Sequence, residues 1–399
     1  MIKDFEKKIR AYALKNALAH DGKAMQGPVV SSLFNEGLQR NEVGKYAKKI
    51  SEIILEVNSL SAEEQKKEFE KLEKKVHERK VREGLEELPN AKKGVVMRFA
   101  PSPSGPYHIG HAMTASISFL YFKKYGGKFY VRIEDTNPEN IYTPAYEMIK
   151  EESEWLFDKK AKIIIQSERM PLYYDYAERL IEKGVAYVCT CSQEKFKKFV
   201  EKEKECPCRK NSIDESMKKW KKMLDKKGFK EGDAVLRFKS SMSHKNPAMR
   251  DFPLARINLH RHPLQKNKYR VWPLMNLAVT VDDIEMKMTH IIRAKDHRDN
   301  AERQKMIFSV LGKKFPWTAF LGRIHFKDLE LSTTKMRQAI EKKEYKGWSD
   351  KRLPTIASLR KQGYKPQAFW KFAEQVGLSE NDKIMDREEF FRLLDNFNK

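Results

Sequence analysis

Residues 95–135 run Val95-Val96-Met97-Arg98-Phe99, a loop broken by proline and glycine from Ala100 to Tyr107, then His108-Ile109-Gly110-His111. They continue through Ala112 to Tyr125, Gly126-Gly127, Phe129-Tyr130-Val131-Arg132-Ile133 and Glu134-Asp135-Thr136. The two short apolar runs read as strands, and the segment between them has helical length and ends on two glycines. Strand, loop, helix and strand in that order form the crossover of a parallel sheet. His108 and His111, three apart, share one face at the helix start, where unpaired backbone N–H groups and the helix dipole favour an anion. Gly110 has no side chain, so a planar ring or a phosphate can approach the backbone closely. Taken alone, two such histidines fit a polar helix start better than a site.

Working outward, 399 residues provide for roughly two to four domains. With 40% hydrophobic and 34% charged residues, the chain reads as globular and lysine-rich, not disordered. A net charge of +24 and a pI near 9.6 imply an acidic partner, most simply nucleic acid, with solvated surface lysines as the plainer alternative. No run approaches the length of a membrane span, and Met1 to Lys7 has no signal-peptide core, so a cytoplasmic protein is expected. The four cysteines all fall between 189 and 208, which favours a local metal clip over a disulfide framework.

Five regions are expected. Residues 1–93 read as a charged helical domain: Ile2, Phe5, Ile9 and Ala13 share a helical face, Gly22 is a stop, and Ser61-Ala62-Glu63-Glu64 is a capping box before Phe69, Leu72 and Val76. Residues 94–186 form the first half of a nucleotide-binding sheet, with helices at 146–156 and 172–183 and a strand at 162–165. Residues 187–269 are an insertion with the cysteines, a helix around Trp220 and a strand at 234–238. The apolar runs at 269–274, 279–284 and 289–293 place the second sheet half at 270–315, with Asp282-Asp283 as a turn or a magnesium site. Residues 316–399 read as helical and basic.

The stretch Arg98 to Gly105, the His108–His111 run and Arg132 to Thr136 together resemble the catalytic signature of class I aminoacyl-tRNA synthetases, in the glutamyl/glutaminyl branch. The run from Tyr12 to Ala24 is similar to the helical N-terminal extension of archaeal glutamyl members, so the resemblance covers essentially the whole chain. It implies an α/β fold: a Rossmann-like parallel sheet, an inserted zinc-type acceptor-end-binding subdomain, an N-terminal helical domain and a C-terminal stem-contact region. His108, Gly110, His111 and Lys335 would be catalytic, with Ile109, Ser332, Thr334 and Lys335 at ATP. Arg98, Ser102, Glu134 and Arg293 would bind glutamate.

The lysine-bearing second signature, KMSKS in many members, corresponds to Leu331-Ser332-Thr333-Thr334-Lys335-Met336-Arg337, with Thr333 where a lysine is usual. Met275 stands where relatives carry a tyrosine. Cys189-Thr190-Cys191 and Cys206-Pro207-Cys208 present two thiolate pairs suited to a structural Zn2+, and the resemblance strengthens that expectation. Lysines and arginines from Lys342 to Lys365, interleaved with Tyr345, Trp348, Tyr364 and Trp370, suit phosphate contact, with a plain solvated face as the alternative.

The implied activity is ATP- and Mg2+-dependent attachment of glutamate to tRNA(Glu), and in some archaeal members also to tRNA(Gln), through glutamyl-adenylate. Relatives continue into two anticodon-reading β-barrels, so three expectations stand: the anticodon module is carried by a separate subunit, it is absent from a naturally short form, or the chain is a fragment. A short paralogue that delivers glutamate to a modified tRNA base, and a non-catalytic tRNA-binding protein, are the competing readings.

Overall fold

The computed structural model describes residues 4–34, 36–39, 42–76, 84–329 and 331–399. The chain divides into two compact units, Met1–Arg82 and Glu83–Lys399. The first holds α1 (Phe5–Leu18), α2 (Gln26–Phe34), α3 (Val43–Ser59) and α4 (Ala62–Leu72). Ile9 and Ala13 are fully buried in its core, as their spacing requires; Ile2 lies outside the described residues. The capping box forms: Glu64 N–H donates to Ser61 Oγ at 3.3 Å and Ser61 N–H to Glu64 Oε2 at 2.8 Å. Gly22, at φ 81°, donates back to the Ala17 carbonyl and turns the chain out of α1.

In the second unit, β1 (Val95–Phe99), α5 (Ile109–Tyr125), β2 (Gly127–Ile133), α6 (Ala145–Leu156) and β3 (Lys162–Ile165) alternate, and the three strands pair in parallel. The expected crossover is there. Gly127, at φ 113°, is obligatory, since a Cβ would lie 2.1 Å from the Val95 carbonyl oxygen. After α7 (Met170–Glu182) comes an antiparallel sheet of β4 (Ala186–Cys189), β5 (Val235–Phe238), β6 (Pro253–Ile257) and β7 (Val271–Pro273), with α8 (Gln193–Glu201) and α9 (Ile213–Leu224) between β4 and β5. Strand β7, expected to open the second half of the parallel sheet, instead pairs with β6 and closes the insertion.

The run read as sheet at 279–284 is helix α10 (Met275–Glu285); its apolar residues face the core while Asp282 and Asp283 are buried by ion pairing, which hid the helical period. The second sheet half is β8 (His290–Ala294) and β9 (Trp317–Leu321), parallel and joined through α11 (Arg298–Val310). Thr289 exchanges bonds with Val96, its N–H donating to the Val96 carbonyl at 3.0 Å and its Oγ1 accepting from Val96 N–H at 2.8 Å. This sets β8 beside β1. Chain direction therefore reverses its course across the sheet between β1 and β8, and in such folds the crevice above the carboxyl ends of those two strands takes the ligand.

The remaining chain is not helix alone: β10 (Ile324–Phe326), α12 (Thr333–Glu341), α13 (Ile356–Lys361), α14 (Pro366–Val376), β11 (Lys383–Met385) and α15 (Arg387–Asn398) follow, with β10 and β11 parallel. Ile356, Phe369, Phe372 and Phe390 share one apolar core with β1, α5 and β2. Residues 84–93, assigned by sequence to the helical domain, also belong here, with Leu88 and Ala91 in that core. Among the described residues, no helix is long and apolar enough to cross a membrane.

Candidate active site

A cavity of about 1160 Å³ opens at the β1/β8 crevice and is lined by Arg98, Ser102, His108, Gly110, His111, Glu134, Met275 and Arg293. It is larger than most single-ligand pockets, enough for two substrates together. Residues separated by almost two hundred positions meet there because β1, β2 and β8 end on the same edge of the sheet.

His108 is the N-cap of α5, and its Nδ1 accepts from the N–H groups of Gly110 (3.1 Å) and His111 (3.3 Å). His111 Nδ1 in turn faces His108 N–H at 3.5 Å, and the two rings stack with centroids 3.8 Å apart. With each Nδ1 used as an acceptor, each ring carries its proton on Nε2. Burial holds His108 well below the ordinary imidazole range and brings His111 to about 4, so both are neutral donors. A Cβ on Gly110 would lie 3.0 Å from His108 Cε1 and 3.2 Å from Leu331 Cδ1; its bareness lets the His108 ring fold back. Ile109, expected at ATP, is fully buried in the core, and its N–H is taken by the Pro354 carbonyl at 3.0 Å.

Arg98, Arg293 and Glu134 line the cavity, and Arg132, Arg169, Asp282 and Asp283 are linked to them by the surrounding network of buried charges. Arg132, with no exposure, donates to Asp283 Oδ1 at 2.7 Å and to Glu134 Oε1 at 3.1 Å, while Arg169 donates to Asp282 Oδ1 at 2.7 Å. Arg98 Nε lies 3.6 Å from Asp283 and has no hydrogen bond; Arg293 reaches only the neutral Gln304 Oε1, at 2.8 Å, and its Nε is likewise unpaired. Burial, then the charge of Arg98, lowers Arg293 to about 10, and burial lowers Arg98 also. Two under-compensated buried cations on one cavity wall call for an anion with more than one oxygen. Burial pushes the Glu134 carboxyl up against the opposing pull of Arg132 and Arg98.

Asp282 and Asp283, read from sequence as a turn or a magnesium site, are helix residues committed to Arg132, Arg169 and Arg98. Sequence reasoning missed Gln304 and His297, since neither carries a local pattern. Burial and the charges of Arg293 and Arg98 lower His297.

Lys335 sits in the first turn of α12, where Ser332 Oγ caps its N–H at 3.3 Å. Ser332, Thr334 and Lys335 are not in the cavity wall; of this segment Leu331 lines it, while Thr333 packs so tightly on Gly105 that a Cβ there would lie 2.4 Å from Thr333 Cγ2. The two signature segments are adjacent. The lysines and arginines at 342–365 are exposed, but Trp348 and Trp370 are buried, so these tryptophans serve packing and not base stacking.

The four Sγ atoms of Cys189, Cys191, Cys206 and Cys208 all lie within 4.8 Å of one another, with Cys189–Cys206 and Cys191–Cys208 both at 3.8 Å. Sulfurs about 2.3 Å from a tetrahedral zinc are about 3.8 Å apart, so the donor set fits that ion. Among the described residues no other cluster could hold a metal, and His260 and His262 are not part of one.

A protein-family model described as tRNA synthetases class I (E and Q), catalytic domain, matches residues 94–395. The chain is 41% identical to a glutamate–tRNA ligase of Methanobrevibacter smithii over 99% of its own length and 71% of that protein. It is 41% identical to one from Methanocaldococcus jannaschii, over 97% and 70% respectively. A crystal structure of a glutamate-tRNA synthetase from Elizabethkingia anophelis aligns with a TM-score of 0.53 at 23% identity, over 75% of this chain and 69% of that one, a likeness of fold.

Proposed function

The chain belongs to the class I tRNA synthetases of the glutamate and glutamine branch, and we propose that it joins glutamate to tRNA(Glu) through glutamyl-adenylate, with ATP and Mg2+ as co-reactants. The observation that carries this reading is the single cavity that gathers His108, His111, Arg98, Arg293 and Glu134.

In our reading the substrate's side-chain carboxylate takes the unpaired donors of Arg98 and Arg293, and Glu134 holds its ammonium group. An α-carboxylate oxygen then attacks the α-phosphorus of ATP, and the bond to the bridging oxygen breaks so that pyrophosphate leaves with the electron pair. The Nε2–H groups of His108 and His111 stabilise the phosphate oxygens as charge builds, and because both rings are neutral they donate without adding a proton. Lys335, on the α12 turn, neutralises the departing phosphates. A ribose hydroxyl of tRNA next attacks the acyl carbon, and AMP departs. Zn2+ held by the four cysteines would give the insertion its rigidity and takes no part in these steps. We place the enzyme in the cytoplasm.

The test is pyrophosphate exchange and aminoacylation with glutamate, with and without tRNA. His108→Ala combined with His111→Ala is expected to abolish both; undiminished charging by that variant would overturn the reading. Exchange that needs no tRNA would favour the paralogue that modifies a tRNA base.

A further inference from the structure

We infer that His262 is a positioning residue: from the β6–β7 connection of the insertion it holds the chain at the end of β2, where Glu134 stands, and so sets the amino-acid side of the cavity. The inference rests on the proposed glutamate activity. His262 is fully buried yet belongs to a segment whose neighbour His260 is exposed, and nothing in the reaction uses it directly. All its polar capacity is committed. Nδ1 accepts from the N–H groups of Leu264 and Gln265, both at 3.1 Å, which fixes its own turn. The proton is therefore on Nε2, and it points at the Asp135 carbonyl at 3.0 Å.

The ring also stacks on Trp272, centroids 4.9 Å apart and planes 15° from parallel. Trp272 precedes Met275, a residue of the cavity wall, by three positions. Glu134 is thus gripped from both sides. Its own N–H donates to the Pro101 carbonyl at 2.9 Å, within the loop before the histidines. The next peptide is held by His262, and the Asp135 side chain accepts from Ser167 N–H (2.8 Å), Ser167 Oγ (2.7 Å) and Tyr146 OH (2.7 Å). A carboxylate meant to meet a bound ammonium group must be held to within a fraction of an ångström, and here the last restraint comes from the insertion. The insertion also bonds the chain just beyond, Asn258 donating to Glu139 Oε1 at 2.8 Å and Arg256 to Asn137 Oδ1 at 3.2 Å, but the His262 bond is the one that falls on the peptide next to Glu134.

Two near-isosteric variants separate the roles of the ring. His262→Asn retains an acceptor at the Nδ1 position and loses the donor to Asp135; His262→Gln can place an N–H at the Nε2 position and loses the turn acceptor. We expect His262→Asn to raise the KM for glutamate about tenfold, with kcat and the KM for ATP within about twofold of wild type. His262→Gln should recover most of that loss. Tyr146→Phe, which removes one hydroxyl from Asp135 and keeps the packing, should raise the KM for glutamate about threefold and serves if His262→Asn does not fold. Equal KM values for wild type and His262→Asn, a parallel rise for ATP and glutamate, or a Gln variant no better than Asn would each overturn the inference. A wild-type chain inert towards glutamate would instead overturn the functional reading itself.

Discussion

Arg132 on β2 and Arg293 on β8 are both buried arginines, yet they have opposite surroundings. Arg132 has Asp283, Glu134 and Asp282 around it and is pushed further towards its charged form; Arg293 has one neutral acceptor, a second cation nearby and an unpaired Nε. A saturated guanidinium is part of the frame. One left short of acceptors, with a cavity before it, is addressed to a ligand. Burial alone does not separate the two; the inventory of acceptors does.

The sharpest way to break that distinction is to remove each charge in turn. Arg132→Met should cost about 3–5 kcal/mol of stability, because Asp283 and Glu134 lose the buried guanidinium that bonds them, and urea unfolding will measure it. Arg293→Met should leave the urea midpoint unchanged or higher, while kcat/KM for glutamate falls on the order of a hundredfold, measured by steady-state aminoacylation. If Arg293→Met unfolds the protein instead, both arginines are frame.

Acid provides a milder probe. In the unfolded chain an imidazole takes its proton near pH 6.5, whereas His111 in the fold waits until about 4 and His108 is lowered in the same direction. The unfolded state therefore binds more protons between those values, so this stability is present above pH 6.5 and is lost as pH falls towards 4. A loss on the order of 1–3 kcal/mol across that window is expected in urea titrations, and His111→Gln should flatten it. The smallest effect is expected from Met275→Tyr, which adds a hydroxyl to the cavity wall: a change of about threefold or less in the KM for glutamate.

Much of the site was legible in sequence because its chemistry is written in short segments. The Val95–Ile133 crossover, the histidine turn and the two cysteine pairs each declare themselves within a few dozen residues, and the cysteine sulfurs do converge. What stayed hidden depends on pairing across the chain. Strand β7 has the apolar pattern of either sheet, and only its partner β6 assigns it to the insertion. The α10 stretch looked like a strand ending in a turn because Asp282 and Asp283, the polar marks that should point outward, are drawn inward by arginines more than a hundred positions away. Ile109 sits inside the histidine turn and is nevertheless a core residue, since a helix's first turn must also anchor it.

The seam between the histidine turn and α13 has a practical consequence. Ile109 N–H donates to the Pro354 carbonyl, and Ile356 N–H donates to the Tyr107 carbonyl. A polypeptide severed ahead of Pro354 would strip the imidazole-bearing segment of its scaffolding while leaving every signature letter intact. Reconstitution from two separately made pieces would therefore regain turnover only as far as the downstream piece docks.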